Sequence, residues 1–376
     1  MRLGKIKQVA LWATAGLVVA ALAGCAANEA AEGAAGASKS SDGTNDEQLS
    51  GQLNGAGASS QSAAQEAWKA GFISLQSDVT VNYDPVGSGT GREQFTAGGL
   101  GFVGTDAPFS ADEASGGGQA SCAADSPLVE VPVYISPIVV AFNLDGIDEL
   151  KLAPAVIADI FTGKITNWND PAIAADNSGV ELPDLKISPV HRSDKSGTTG
   201  NFTDYLAATA PDNWTAGETE EWPAEGGEGA EKTQGMVEAL TAGNGAIGYV
   251  DAGQAASLSW ASIKVGTEWV AASAEGAAKA VAESSLEEGR GEGDVVYELN
   301  RTTDAAGAYP LILVSYLAAC EKYEDAETGK LVAAYFKYVT SDDGQQAAAA
   351  NAGSAPLTAE EGLSAKVSAA VARIGA

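Results

Sequence analysis

One histidine, three cysteines and two methionines in 376 residues leave little from which to build a metal or redox centre. Structural and catalytic metals need Cys, His or carboxylate clusters at short spacing. The lone His191 and the scattered Cys25, Cys122 and Cys320 supply no such cluster, so no metal and no cofactor is expected. Cations are scarce as well: 21 Lys and Arg stand against 50 Asp and Glu, a formal charge of −29. So acidic a surface is repelled by nucleic acid and by anionic lipid, which excludes nucleic acid as a partner. GxxxxGK[ST] and GxSxG are absent, and a Ser-His-Asp hydrolase would depend on His191, which abuts Arg192. GLGFVG (99–104) fits GxGxxG by letter, but TDAP follows where a dinucleotide site needs a helix. No catalytic set emerges, and no enzyme is expected.

Long apolar runs are also few. The one at residues 9–23 follows Arg2, Lys5 and Lys7 and ends in LAGC, closing on Cys25. A basic start, a short apolar stretch and small residues make 1–24 a secretory signal rather than a spanning helix. LAGC resembles the lipobox of bacterial lipoproteins, which implies cleavage before Cys25 and lipidation of its thiol. Two acyl chains on one residue hold a protein stably to a bilayer. Residues 25–48 then combine the lipidated Cys with a tether of small and polar types, too poor in apolar area to fold.

The remaining chain, about 330 residues, is long for one core, so two lobes are expected. Short apolar runs at 78–83, 99–104, 128–135, 138–144, 186–192, 246–250 and 309–317 read as strands. They alternate with helical patterns at 61–75, 92–98, 153–163, 201–210, 234–243, 276–285 and 328–341. That order predicts an α/β protein with largely parallel sheets, whose ligands sit where strands end and helices begin. The acidic stretch 216–232 reads as a solvated excursion. No internal repeat is present.

Three strand-to-helix turns are built from Gly, Ser, Thr and Ala alone: GAGASS (55–60), GSGTG (87–91) and SGTTG (196–200). Each offers free N–H groups and hydroxyls at a helix terminus, which suits an oxyanion. The third follows His191, Arg192, Asp194 and Lys195, so a cation stands beside it.

With VNYDPVGSGTG (81–91), GFVGTDAPFS (101–110), PVYISPIVVAFNLDG (132–146), LPDLKISPVHRSDKSGTT (182–199), NGAIGYVD (244–251) and AYPLILVSYL (308–317), the chain resembles the phosphate-binding proteins of Pst-type ABC importers. The resemblance implies a two-lobe periplasmic-binding-protein-like α/β fold, each lobe a doubly wound sheet flanked by helices, with ligand in the interlobe cleft. Residues 49–137 and 310–376 would form lobe I, and 138–309 lobe II. It implies phosphate contacts from Ser59, Ser60, Ser88, Asp106, Arg192, Ser196, Gly197 and Thr198, with Asp194 orienting the arginine. The family usually has Thr-Phe where Ser59-Ser60 stand, Ser-Gly-Gly where Gly89-Thr90-Gly91 follow Ser88, and glycine at Lys195. Paired crossing strands would also bring Cys122 and Cys320 together as a disulfide. The implied role is extracytoplasmic capture of inorganic phosphate for the permease subunits of an importer, with Cys25 anchoring the protein in the bilayer at the outer face of the cytoplasmic membrane. Receptors for sulfate, molybdate or phosphonate share such a cradle, and a secreted phosphatase is the alternative from another class.

Overall fold

Alternating apolar and polar residues in LNGAG and DVTVNYD bury one face of two parallel strands, β1 (Ser50–Gly57) and β2 (Asp78–Asp84), paired from Ser50↔Asp78 to Ala56↔Asp84. Between them α1 (Ser62–Leu75) turns Ala64, Trp68 and Phe72 inward at helical spacing. The computed structural model describes residues 48–116, 118–357 and 362–375. The leader, Cys25 and the tether to residue 47 lie outside the described residues. No helix among the described residues is long and apolar enough to cross a membrane.

After α2 (Ser88–Thr96), β3 (Phe102–Thr105) lies parallel to β1, and the short α3 (Ala111–Ala114) follows. The run LVEVPVYISPIVVAFN then forms a single strand, β4 (Leu128–Asn143), where two strands were expected. All but its last residue are buried, as a strand covered on both faces requires. Its partner changes midway. β4 pairs antiparallel with the late strand β13 up to Pro137↔Ile312, and with β8 from Ile138↔Asp251 onward.

The middle of the chain gives β5 (Leu150–Leu152), α4 (Pro154–Phe161), α5 (Pro171–Asp176), β6 (Ser188–Arg192), α6 (Gly197–Thr209), β7 (Glu228–Ala230), α7 (Lys232–Ala242) and β8 (Ala246–Asp251). Next come β9 (Ser259–Val265), β10 (Glu268–Val270), α8 (Ala274–Ala282), β11 (Ser285–Leu286) and β12 (Tyr297–Glu298). The crossing strand β13 (Ile312–Cys320), α9 (Ala326–Val339), α10 (Asp342–Ala352) and α11 (Leu363–Val371) end the chain. The main sheet runs β2-β1-β3-β13-β4-β8-β6-β7, with β9, β5 and β10 branching from β4, and β11 pairs β12 apart from it.

The α/β class holds, but the expectation of largely parallel sheets needs correction. β13 is antiparallel to both β3 and β4, and β4 to β8 and β9. A chain that leaves one half of a sheet and later returns crosses in opposite directions, so its two crossing strands pair antiparallel. Among the described residues, the strand pairs β1–β2, β1–β3, β6–β7, β6–β8 and β5–β9 are parallel. Cys122 and Cys320 are joined by a disulfide at the far end of this crossing pair, Cα atoms 5.2 Å apart.

Candidate functional site

The Gly/Ser turns are not linkers before helices but parts of the helices themselves. α2 begins at Ser88 rather than near Arg92, and α6 at Gly197 rather than Asn201. GASS ends in a tight 3-10 turn, Ser59–Gln61, that runs into α1. Small residues free the first-turn N–H groups from steric cover, and those groups have no partner within their own helix. Gly87 makes the entry to α2 possible: its φ is +93°, and a Cβ there would lie 2.7 Å from Asp194 Oδ2.

These helix starts meet at Asp106, the residue after β3, which is 3% exposed. Its carboxylate accepts from Ser60 Oγ (2.7 Å to Oδ1), Ser315 Oγ (2.6 Å) and Thr198 Oγ1 (2.9 Å). Its N–H donates to Ser88 Oγ at 3.1 Å, and its carbonyl accepts from Asn201 Nδ2 at 2.8 Å. Burial pushes this carboxyl above its ordinary range, while the hydroxyls of Ser315, Ser60 and Thr198 and the charge of Arg192 pull it back.

Arg192, at the end of β6, is 2% exposed and is gripped through Nε and Nη2 by both oxygens of Asp194. Asp194 Oδ1 also accepts the Lys232 N–H at the start of α7, 3.0 Å away. Burial acts to raise the Asp194 carboxyl, but the hydrogen bonds and charge of Arg192 outweigh it and hold the group below its usual range. Such a fork-to-fork pair fixes the guanidinium plane. Tyr249 supports it from behind: its hydroxyl accepts the Arg192 N–H at 3.1 Å and bonds Thr199 Oγ1 at 2.8 Å. Burial pushes that phenol up to about 12.

Every expected contact residue is thus buried in one neighbourhood. Ser59 turns its hydroxyl to Thr233, 2.9 Å away, and accepts the Thr233 N–H. Ser196 caps α6 by accepting the Thr199 N–H. Gly197 sits so close to the chain at Asp106 that a Cβ would lie 2.7 Å from both Ala107 N and Asp106 Cβ. Lys195 points its amine toward Glu220, 4.0 Å away, while its carbonyl accepts the Gly89 N–H. Thr90 is half-buried on the first turn of α2. A groove of about 1090 Å³ opens beside Asp106 and is lined by Arg92, Asn201, Glu220 and Arg301 among others. Ser59, Ser88, Arg192 and Thr198 do not line that groove.

Ser315, Asn201, Thr233 and Gln254 escaped the sequence reading. Gln254 Nε2 donates to the carbonyls of Ser59 and Ser60 at 2.8 and 3.0 Å, holding the first turn from β8's side. Thr233 carried a readable signal, a hydroxyl one residue before an expected helix; the others are long-range partners with none. The acidic stretch 216–232 is a largely exposed surface excursion, as expected, but part of it docks on the fold. Its Glu218, Glu220 and Trp222 pack against α6 and β6, with Trp222 stacked on His191 at 4.8 Å, and Glu228–Ala230 pairs with β6. Glu220 takes the Ser196 N–H on its carbonyl, which a freely solvated loop would not do.

A family model described as the PBP superfamily domain matches residues 38–343. The phosphate-binding protein PstS2 of Mycobacterium bovis (strain BCG / Pasteur 1173P2) is 33% identical over 297 residues, spanning 76% of this chain and 78% of the relative. The phosphate-binding protein PstS of Xylella fastidiosa is 32% identical over 305 residues, 79% of each chain. Among solved structures, a high-affinity periplasmic phosphate-binding protein bound with phosphate (PfluDING) superposes with a TM-score of 0.66 at 23% identity, covering 84% of this chain and 93% of that one. The fold is that of the periplasmic-binding-protein superfamily. Within it, the chain belongs to the family of PstS phosphate-binding proteins.

Proposed function

We propose that the protein is an extracytoplasmic receptor that binds inorganic phosphate, mono- or dibasic, and delivers it to the membrane permease subunits of an ABC importer without catalysing a reaction. One observation carries the reading: a buried guanidinium and a buried carboxylate, Arg192 and Asp106, share a site otherwise made of hydroxyl and helix-start N–H donors. The cation answers the anion's charge, and the carboxylate accepts from a P–OH, which phosphate near neutral pH always carries. Oriented dipoles in a dry cleft replace the hydration shell, so an acidic protein needs no long-range attraction to hold an anion. Ser59, Ser60, Ser88, Ser196, Gly197 and Thr198 serve as donors, and Asp194 orients Arg192.

Residues 49–137 with 310–376 act as one lobe and 138–309 as the other. The switch of β4 from β13 to β8 between Pro137 and Ile138 supports that boundary. Cys25 anchors the exported protein to the outer face of the cytoplasmic membrane, a reading that rests on the basic leader and LAGC. Titration calorimetry with phosphate, sulfate, molybdate and a phosphonate tests the assignment, and a phosphomonoester turnover assay tests against a phosphatase. Heat with phosphate and none with sulfate is the expected result; tighter binding of another oxyanion overturns it.

A further inference from the structure

Arg92 lies on the second turn of α2, and its guanidinium does two things. Nη1 donates to Thr105 Oγ1 and to the Ala107 carbonyl, both at 2.8 Å, bracketing Asp106 from each side. Nη2 reaches Glu220 Oε2, 128 residues away in the acidic loop. Glu220 in turn accepts the Ser196 N–H on its carbonyl at 3.0 Å, and Ser196 is the residue that caps α6. One ion pair therefore ties the Asp106 turn to the first turn of α6. Both side chains are withdrawn from water, 14% and 13% exposed, and Glu220 Oε1 is buried without a hydrogen-bond partner. Surface ion pairs contribute little, whereas a buried one that loses a partner leaves an uncompensated charge. Here that charge would be a carboxylate on the wall of the groove beside Asp106. Among the described residues, Lys195 is the one other cation paired with it, at 4.0 Å and 40% exposed.

We propose that Arg92 and Glu220 form a latch across the cleft, and that Arg92 is a positioning residue setting how long a bound anion is retained. The inference rests on the phosphate-binding reading and on the two-lobe division, which put Arg92 and Glu220 on opposite lobes. Arg92 acts through Ala107 and Ser196; Asp106 and Arg192, which face the anion, keep their own partners. Retention should therefore depend on the latch while the choice among anions does not. The acidic loop, set against the start of α6, gains a role that explains its carboxylates beside the groove. Opening costs the Glu220 side chain its cation in a partly dry setting, which slows release.

Stopped-flow release and calorimetry on the full-length protein, with phosphate and with sulfate, test this through Arg92→Ala, Glu220→Ala, the double variant and Arg92→Lys. The parent must bind phosphate; if it does not, the functional reading fails and the latch is not what failed. Given binding, each single alanine variant should release phosphate about thirtyfold faster, the low end for losing one partner of a buried charge pair. The double variant should be no worse than the poorer single, because the two residues act as one unit. Arg92→Lys, which keeps the charge but not the fork, should recover part of the loss. Phosphate-over-sulfate preference should stay at the parental value in all of them. Melting without phosphate should stay at the parental value in Glu220→Ala, which gives up no side-chain hydrogen bond within its own lobe. Release within about threefold of the parent in both alanine variants, additive losses, or a drop in the unliganded melting of Glu220→Ala that tracks its loss of binding would each overturn the latch.

Discussion

Thr198 Oγ1 donates to Asp106 Oδ2 at 2.9 Å, joining the first turn of α6 to the residue that follows β3. The bond makes Asp106 both a crossing point between the proposed lobes and a buried acceptor in the proposed anion site. A carboxylate there accepts from a P–OH but meets only lone pairs on sulfate, with no water to screen them. Asp106→Asn should fold, since the Ser60, Ser315 and Thr198 hydroxyls can rotate to accept from an amide. It should retain most phosphate affinity yet narrow the phosphate-over-sulfate preference by about tenfold or more. Competition titrations check this, and an Asn variant that rejects sulfate as strongly as the parent removes that role from Asp106.

Arg192 is the buried cation of the proposed site, and Asp194 holds its Nε and Nη2. Arg192→Ala should weaken phosphate binding by about 2–5 kcal/mol, the range for removing one partner of a buried charged contact. Asp194→Ala should cost less, because the guanidinium remains but loses its fixed plane. Calorimetry on both variants gives the order; a loss under about threefold for Arg192→Ala means that it does not touch the anion.

The chemistry of these residues was legible before any coordinates, because Gly, Ser and Thr at helix starts carry a local meaning. RSDKSGT announces a cation, its orienting carboxylate and an N-capped helix within seven letters. What escaped depends on partners far away in the chain. Ser315 lies inside an apolar strand, 209 residues from the carboxylate it bonds, and nothing local sets it apart from an ordinary core serine. The acidic loop is mostly exposed, as its composition suggests, and what its residues did not announce is the docking of Glu220 on Arg92 and the start of α6. The parallel-sheet expectation failed at β4 and β13, where the direction of a crossing strand is set by the return path of the chain and not by its residues.

Asp251 closes β8 opposite Ile138, fully buried, with Oδ1 accepting from the Tyr134 hydroxyl at 3.0 Å and from the Gly253 N–H at 3.1 Å. Burial, with the charge of Asp106 adding to it against the hydrogen bonds of Ser136 and Tyr134, pushes its carboxyl up to about 7. An acid whose folded pKa lies above its unfolded one keeps its proton longer when folded. Its stabilisation is complete below about pH 4 and is lost as pH rises to about 7, at roughly 1.4 kcal/mol per pH unit. Asp251→Asn keeps an acceptor at the same place and carries no charge. It should melt near the parent at pH 4 and above it at pH 8. Equal pH slopes in the two proteins count against this account.

The Cys122–Cys320 bridge ties residues 198 apart at the end of β13 remote from Ser315. Cys320 lies five positions along the strand from Ser315, roughly 16 Å away. Replacing both cysteines by alanine should lower stability by about 2–5 kcal/mol in denaturant titrations. Phosphate affinity should stay at the parental value, because no site residue rests on the bridge. Affinity falling in step with stability would show that the bridge shapes the site.

Gly197 separates folding from binding. A Cβ at this position would stand 2.7 Å from Ala107 N and from Asp106 Cβ, and backbone cannot step aside as a flexible side chain can. Gly197 and Asp106 belong to opposite proposed lobes, so the clash arises only when the two meet. Within α6 itself alanine is the better residue, by about 1 kcal/mol over glycine. Gly197→Ala should therefore melt at or slightly above the parental temperature without phosphate. Its phosphate affinity should fall by about 1–3 kcal/mol, the usual cost of forcing an extra methyl into a packed contact. Small-angle scattering supplies the independent readout: phosphate should compact the parent, and compact this variant less at matched occupancy. A variant that melts well below the parent without phosphate would show that the contact between Gly197 and Asp106 belongs to the fold itself and not to closure around an anion.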